Sequence, residues 1–409
     1  MPFLSLRSSA QSTPCPDAEW NRHAVKPTPR IRVFCHPGLS YRSIFTPPTL
    51  PQPFAIGRAR FYLRGSSALW DGLHGLGPPE GQSILFPSYH CGIELDVIRT
   101  VGFEVKFYRV DSDLQIDMNH LRRLVTAGTR ALFVIHYFGF PHALDELKRW
   151  CSEFGLALIE DCAQALYAKY RGQPVGTFGD LATFSLHKCL PLPYGGILLT
   201  NAGSVQPPAV LKHAPFSFVA LEMLWLIARD LLRSWVLNLD WCRRFLRLIA
   251  RVVLRDEPPH ARQVSSTQFK KEWAGVHMPF LSMWLFKRSP HQQVFAQRRS
   301  NFAALLRIVA DCKRITPVIP ALTDGACPAY FPVTAEGNHF EFIRFCRVRG
   351  LRADPYWADL HPEFPSELFP EARFLKQHVA VLPVHQQLDE KDMALIRQIL
   401  MEWEHLEKS

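Results

Sequence analysis

The chain has 409 residues, 47% of them hydrophobic and 21% charged, a balance that suits a soluble globular protein with one large and one smaller domain rather than a disordered chain. A formal net charge of +10 invites a nucleic-acid role, but many of the arginines fall between Arg229 and Arg299 among Leu, Trp and Phe, with no recognised nucleic-acid motif beside them. Ten cysteines without CxxC or Cys/His ligand spacing argue against a metal site, and with an opening, MPFLSLRSSAQ, that lacks a secretion signal's apolar run, they suit thiols in a reducing cytoplasm.

Residues 1–50, rich in Pro, Ser and Arg and without periodicity, read as an irregular arm. From RARFYL onward, short apolar runs alternate with amphipathic stretches. RGSSALWDGL sets Gly65, Ser66 and Ser67 ahead of Leu69 and Leu73 at helical spacing, so small residues stand at a helix N-terminus, where backbone N–H groups can hold an anion. SILFPS, FEVKFYRV, RALFVIHYFG, LALIEDC and GILLTN predict strands, and ALDELKRWCSEFG predicts a helix between two of them. The alternation predicts an α/β large domain over residues 51–297, with a mostly parallel sheet and functional groups at strand C-termini.

Within that domain, a helix-rich insertion at 214–256 is strongly apolar, yet Glu222, Arg229, Asp230, Arg233 and Asp240 interrupt it before any run reaches the ~18 residues of a membrane span. Its aromatic residues are spread around rather than confined to one face, which favours packing on the body or on a dimer partner over a basic surface lying on a membrane. Residues 298–409 predict a smaller α+β domain: RRSNFAALLRIVADC, FEFIRFCRVRGL and EKDMALIRQILMEWEHL are helical, AYFPVTA is a strand, and LRADPYW and AVLPVHQQL are extended. Tyr356, Trp357 and His385 there are either pocket residues or packing residues.

The chemistry concentrates between Leu158 and Asn201. LIEDCAQAL puts Asp161 and Gln164 just past an apolar run, and FGDLATFSLHKCLPLPYGGILLTN adds Ser185, Lys188, Gly195 and Gly196. Lys188 is the only lysine between Lys169 and Lys212. An amine that can reach its neutral form, a carboxylate able to hold a pyridine nitrogen protonated, and a phosphate cradle upstream are the groups a pyridoxal phosphate site needs. Taken singly, Asp161 reads equally as a helix cap, and His136 equally as a pocket or a core histidine.

Taken in order, RGSSAL, LFPSYHCG, VIHYFGFP, LIEDCAQAL, FGDLATFSLHK and PYGGILLTN resemble the DegT/DnrJ/EryC1/StrS family of pyridoxal-phosphate-dependent sugar aminotransferases, from about Arg58 to Asn201 and more weakly from Arg298 onward. The resemblance implies a fold type I transferase in which Lys188 is the Schiff-base lysine and Asp161 the partner of the pyridine nitrogen. Gln164 would meet the ring hydroxyl or cover a ring face, Ser185 would contact the phosphate, and Gly65, Ser66 and Ser67 would cradle it. Cys91 matches the position from which the family stacks a side chain on the ring, with Tyr89 and His90 beside it. A homodimer is implied, moving an amino group, from glutamate, to a nucleotide-linked keto-sugar in cell-surface polysaccharide or related amino-sugar biosynthesis.

The chain departs from the family in its shorter K-x-x-P-x-P-x-GG spacing and in lacking the GYNYR-type segment that lends a phosphate-binding asparagine to the neighbouring subunit. Relatives with histidine in place of the lysine are dehydratases; His187 is followed here by Lys188, which points to transamination. A degenerate, regulatory binding protein and an enzyme acting on a non-sugar substrate are the competing readings.

Overall fold

A computed structural model describes residues 31–39, 45–55, 58–203, 205, 212–215, 219–220, 224, 226 and 269–406. The first part of the chain runs β1 (Ala59–Tyr62), α1 (Gly65–His74), β2 (Ser83–Pro87), α2 (Ile93–Val101), β3 (Glu104–Tyr108), α3 (Met118–Leu124), β4 (Thr129–Ile135), α4 (Leu144–Glu153) and β5 (Ala157–Asp161). A two-residue-stranded hairpin, β6 (Lys169–Tyr170) and β7 (Gln173–Pro174), leads to β8 (Leu181–Ser185) and β9 (Gly196–Thr200). Seven strands form one sheet in the order β1-β9-β8-β5-β4-β2-β3. β3, β2, β4, β5 and β8 are parallel, whereas β9 runs antiparallel to both β8 and β1.

The expected α/β body with a mostly parallel sheet is therefore present. Helices on its faces bury the strands, so β2 and β8 read as continuous buried runs rather than alternating ones. β8 was not among the expected strands: LATFS is short and carries Thr183 and Ser185, polar residues that only a fully covered strand would bury.

The second part comprises α5 (Phe280–Lys287), α6 (His291–Val309), β10 (Ile315–Pro317), β11 (Phe331–Ala335), α7 (His339–Val348), β12 (Asp354–Pro355), α8 (Pro370–His378), β13 (Ala380–Leu382) and α9 (Glu390–Glu404). Its four strands pair antiparallel in the order β10-β11-β13-β12, and α6, α7 and α9 cover them through Phe302, Leu305, Phe342, Ile396 and Trp403. α9 begins with a capping box, Asp389 accepting from the Asp392 amide and Asp392 accepting from the Asp389 amide, which satisfies two of the orphan donors of a helix start. α6 runs across residue 298, so one helix serves both bodies.

Part of the arm is tied to the small domain. Val33 bridges Leu351, is buried in that core, and its neighbour Phe34 offers a carbonyl to His385 Nε2 at 2.9 Å. The helices expected at 214–256 lie outside the described residues apart from isolated positions. Among the described residues, no helix is long and apolar enough to cross a membrane.

The glycine pair fixes where β9 meets α1. Gly196 pairs with Tyr62, and a Cβ placed on it would lie 2.1 Å from the Arg64 carbonyl oxygen and 2.5 Å from the Gly65 nitrogen. That carbonyl is backbone and cannot swing aside. Gly196→Ala should destabilise the fold by about 1–3 kcal/mol or more, as overpacking does, measured as a lower denaturation midpoint in urea; an unchanged midpoint would mean that β9 and α1 are free to separate.

Candidate active site

Adjacent residues at the end of β5 point to opposite faces of the sheet. Glu160 turns to one side, where its carboxylate accepts from the backbone amides of Gly176 (2.8 Å), Phe178 (3.0 Å) and Gly179 (2.6 Å) and from His136 Nε2 (3.1 Å). His136 is fully buried in this arrangement, so of its two sequence readings the core one holds. His136, Glu160 and Cys162 bring ligand-type atoms within 4.8 Å of one another, but the Glu160 oxygens are already engaged by those amides.

Asp161 turns to the other side, with only 4% of its surface exposed, and is fixed by the Ala163 amide at 2.8 Å. Burial pushes its carboxyl up to about 7; the negative charge of Glu94 adds to the rise, and Lys188 opposes it. Glu94 stands in the first turn of α2, is buried, and accepts the Cys91 thiol on both oxygens at 3.0 and 2.8 Å. Burial, then Glu94, raises the Cys91 thiol well above its ordinary value, again against the pull of Lys188. The tyrosines Tyr137 and Tyr356 are raised by burial and feel the same acids, Tyr137 through Asp161 and Glu94, Tyr356 through Cys91 and Glu94. Asp161, Glu94, Cys91 and Lys188 thus lie close enough to shift one another's protonation in one mostly buried cluster, which Tyr137 and Tyr356 adjoin.

Lys188 closes the 3-10 turn Leu186–Lys188 that follows β8, half-buried, while Leu186 anchors the turn in the core. Ser185, at the end of β8, contacts His187 Nδ1 through its hydroxyl at 3.0 Å. α1 begins opposite: a Cβ on Gly65 would lie 3.2 Å from the Phe184 carbonyl and 3.4 Å from Ser185 Cβ, so glycine here lets the helix start abut the Ser185 strand end. No acidic residue occupies the first turn of α1, which keeps its N-terminal field positive. Ser66 is half-buried at this start, whereas the Ser67 hydroxyl donates to the Trp273 carbonyl at 2.6 Å and is committed to another segment. Gln164 is buried and uses Oε1 to accept from the Phe138 amide at 2.9 Å.

Beside Cys91, the two candidates for ring stacking part company. Tyr89 packs its ring on Tyr137 (5.5 Å) and Trp357 (5.0 Å), whereas His90 lies between Phe107 and Phe364 in the contact with the second domain. Of the small-domain candidates, Tyr356 stands at the pocket wall with Trp357 stacked on it at 4.9 Å, and His385 instead holds the arm. Sequence reasoning missed Glu94, because an acidic residue in a first helical turn reads as a partner of the helix dipole. Its spacing of three residues from Cys91 was the available signal.

These residues fit pyridoxal phosphate. A carboxyl pushed up to about 7 by burial and by Glu94 suits a protonated pyridine nitrogen, the start of α1 beside Ser185 suits a phosphate, and Lys188 carries a primary amine. Residues 63–211 match the model of the DegT/DnrJ/EryC1/StrS aminotransferase family. Over 141 residues the chain is 30% identical to a GDP-perosamine synthase of Vibrio cholerae, covering 34% of this chain and 38% of that protein. Over 146 residues it is 33% identical to an L-glutamine:2-deoxy-scyllo-inosose aminotransferase of Streptoalloteichus tenebrarius, covering 34% of each. The matched segment thus spans little more than a third of those relatives' length.

Solved structures extend the likeness to the whole fold. A putative sugar aminotransferase of Streptococcus pneumoniae in its PLP form superposes with a TM-score of 0.66 at 16% identity, over 91% of this chain and 98% of that one. The Helicobacter pylori aminotransferase involved in the biosynthesis of pseudoaminic acid gives 0.64 at 15%, over 92% and 99%. The fold is therefore fold type I, and every residue singled out from the sequence for the cofactor falls inside the segment 63–211 that matches the DegT/DnrJ/EryC1/StrS aminotransferase family model.

Proposed function

We propose that the protein is a pyridoxal-phosphate-dependent aminotransferase that moves an amino group from an amino acid, glutamate being the simplest donor, to the keto group of a nucleotide-linked sugar, working as a cytoplasmic homodimer. The observation that carries the reading is the pocket in which a buried acid, Asp161, feels a lysine, Lys188, at the C-terminal ends of adjacent parallel strands. The sugar, and its nucleotide, rest on the relatives: a GDP-perosamine synthase and an inosose aminotransferase are among the proteins that the chain is similar to.

Pyridoxal phosphate, when bound, supplies an aldehyde that takes up the amino group and a pyridine ring that accepts the electrons left when a proton departs the substrate carbon. Asp161 would accept a hydrogen bond from the pyridine N–H, and its burial makes that charge pairing strong. The amides at the start of α1, with Ser66 and Ser185, would hold the phosphate. Lys188 Nζ, once displaced by the donor amine, would take the proton from the substrate carbon and return a proton as general acid. Tyr89, Tyr137, Tyr356 and Trp357 would keep water from that proton transfer, since their rings line up at 4.9 to 6.1 Å along one wall.

Lys188→Ala should lower kcat by about 10²- to 10⁴-fold or more, the usual worth of a general acid/base, with the fold unchanged by circular dichroism. An amino-transfer assay with glutamate and a panel of nucleotide keto-sugars reads this, and wild-type turnover by the variant would sink the assignment.

The raised carboxyl of Asp161 gives a second test in the cofactor-free protein. A carboxyl whose folded-state value lies near 7, above its unfolded value of 3.8, binds its proton more tightly when folded. Its contribution to stability is therefore present at low pH and is lost as pH rises from about 4 through 7. Asp161→Asn removes that loss, so the variant should gain stability relative to wild type between pH 5 and pH 8 in urea denaturation, while losing activity in the holoenzyme. A stability difference that does not vary with pH would show Asp161 to be ionised throughout.

A further inference from the structure

Two of the most deeply buried cations belong to the second body, and neither pairs with a carboxylate within 4 Å among the described residues. Arg298, on α6, is 1% exposed; Lys376, on α8, is fully buried. An unpaired buried charge is costly, so the groups that solvate it in place of water must be well made. Here those groups are backbone carbonyls, and the carbonyls chosen lie beside the pocket.

Arg298 donates through Nη2 to the Cys189 carbonyl at 2.9 Å, through Nη1 to the carbonyls of Pro328 (3.1 Å) and Ala329 (3.0 Å), and through Nε to Gln386 Oε1 at 3.2 Å. Gln386 then donates its own amide to the same Cys189 carbonyl at 3.3 Å. Cys189 is the residue after Lys188. The titratable groups around the guanidinium are Tyr167, Tyr330 and Cys327, together with Cys189, and none is a carboxylate. The segment at Cys327–Ala329 is itself bonded to the turn that Gln164 holds: the amides of Cys327 and Ala329 donate to the Gly139 and Phe138 carbonyls, and the Phe138 amide donates to Gln164.

Lys376 serves the opposite side. Its Nζ donates to the carbonyls of His90 (2.6 Å), Trp357 (3.1 Å) and Asp359 (3.1 Å). His90 is the residue before Cys91, and Trp357 has the positive φ of 54° that a tryptophan adopts only when its surroundings impose it.

We propose that Arg298, with Gln386, and Lys376 are positioning residues for the pocket, through which the seating of the small domain sets the backbone of the Lys188 turn on one side and of the Cys91 turn on the other. The proposal rests on the reading that this pocket binds pyridoxal phosphate. It left no local mark in the sequence, because the contacts to the two turns join residues 109, 197 and 286 positions apart.

The test uses the full-length protein loaded with pyridoxal phosphate. Wild type must first show a visible absorbance band fixed to Lys188 by borohydride; its absence would refute the functional reading and leave the positioning claim without a pocket to act on. Given that band, Arg298→Met and Lys376→Met should each weaken cofactor affinity by roughly tenfold or more, by analogy with the loss when partners that orient the ligands of a metal site are removed. Arg298→Met should also move the pH midpoint of the bound cofactor's absorbance upward, because a fixed positive charge near the lysine turn has gone; Lys376→Met should move it less. Gln386→Leu removes a bond to the Cys189 carbonyl and the acceptor of Arg298 Nε while keeping the guanidinium charge, and should lower affinity in the same direction by a smaller factor. If Arg298→Met does not fold, Gln386→Leu decides. Variants that melt earlier yet bind cofactor with unchanged affinity and unchanged absorbance midpoint would overturn the proposal and reduce these residues to packing.

Discussion

The pocket depends on how one strand ends. β5 finishes with two acids in succession, and because a strand sends successive side chains to opposite faces, Glu160 and Asp161 cannot do the same job. Glu160 is saturated by backbone amides, which turns the 176–179 loop into a rigid backing for the strand. Asp161 receives a single local amide bond and then faces other acids instead of donors. Neighbouring acids are therefore fully bonded on one face and held by a single amide on the other. The difference is set by how many hydrogen-bond donors meet each carboxylate rather than by its own chemistry.

That unevenness has a cost, which other parts of the molecule offset. Asp161 and Glu94 side by side repel, and burial disfavours ionising both. Lys188 counters part of this, and a cationic ring would counter more. The small domain contributes at a distance, with its buried cations placed behind the turns rather than in the pocket, so that they order the backbone without neutralising Asp161 directly. Carbonyl dipoles are suited to this use, because they stabilise a cation while leaving its charge uncancelled.

The sequence conveyed what is local. Strand and helix positions followed from apolar periodicity; Asp161 and Gln164 stood out just past the apolar run of β5, whereas Ser185 and Lys188 stood out from the resemblance and because Lys188 is the only lysine between Lys169 and Lys212. The start of α1 was legible from Gly65 and Ser66, although the engagement of the Ser67 hydroxyl with Trp273 was not, since the partner is 206 residues away. Arg298 and Lys376 could not be read for the same reason, and Glu94, although only three residues from Cys91, was masked by its ordinary place in a helix's first turn. Burial and partners are long-range properties, and an acid in a helix's first turn or a basic residue in a helix has an ordinary explanation until the facing element is known. β8 escaped notice because polar residues dilute its short run, and its register is dictated by β5 and β9 on either side.

The shortened lysine loop follows from packing. In the K-x-x-P-x-P-x-GG stretch, Cys189, Leu190, Leu192 and Tyr194 are all buried, and the Leu186 amide bonds the Gly195 carbonyl, which closes the loop on itself. The Gly195 amide in turn bonds the Leu63 carbonyl, just ahead of the α1 start. Prolines at 191 and 193 fix φ within this loop and remove two amides that would otherwise need partners in the core. Lys188 is thereby carried on a segment with little freedom of its own. A short, buried, proline-braced loop offers few ways to adjust, so its placement falls to the groups that grip it from outside, and Arg298 and Gln386 meet it at the Cys189 carbonyl.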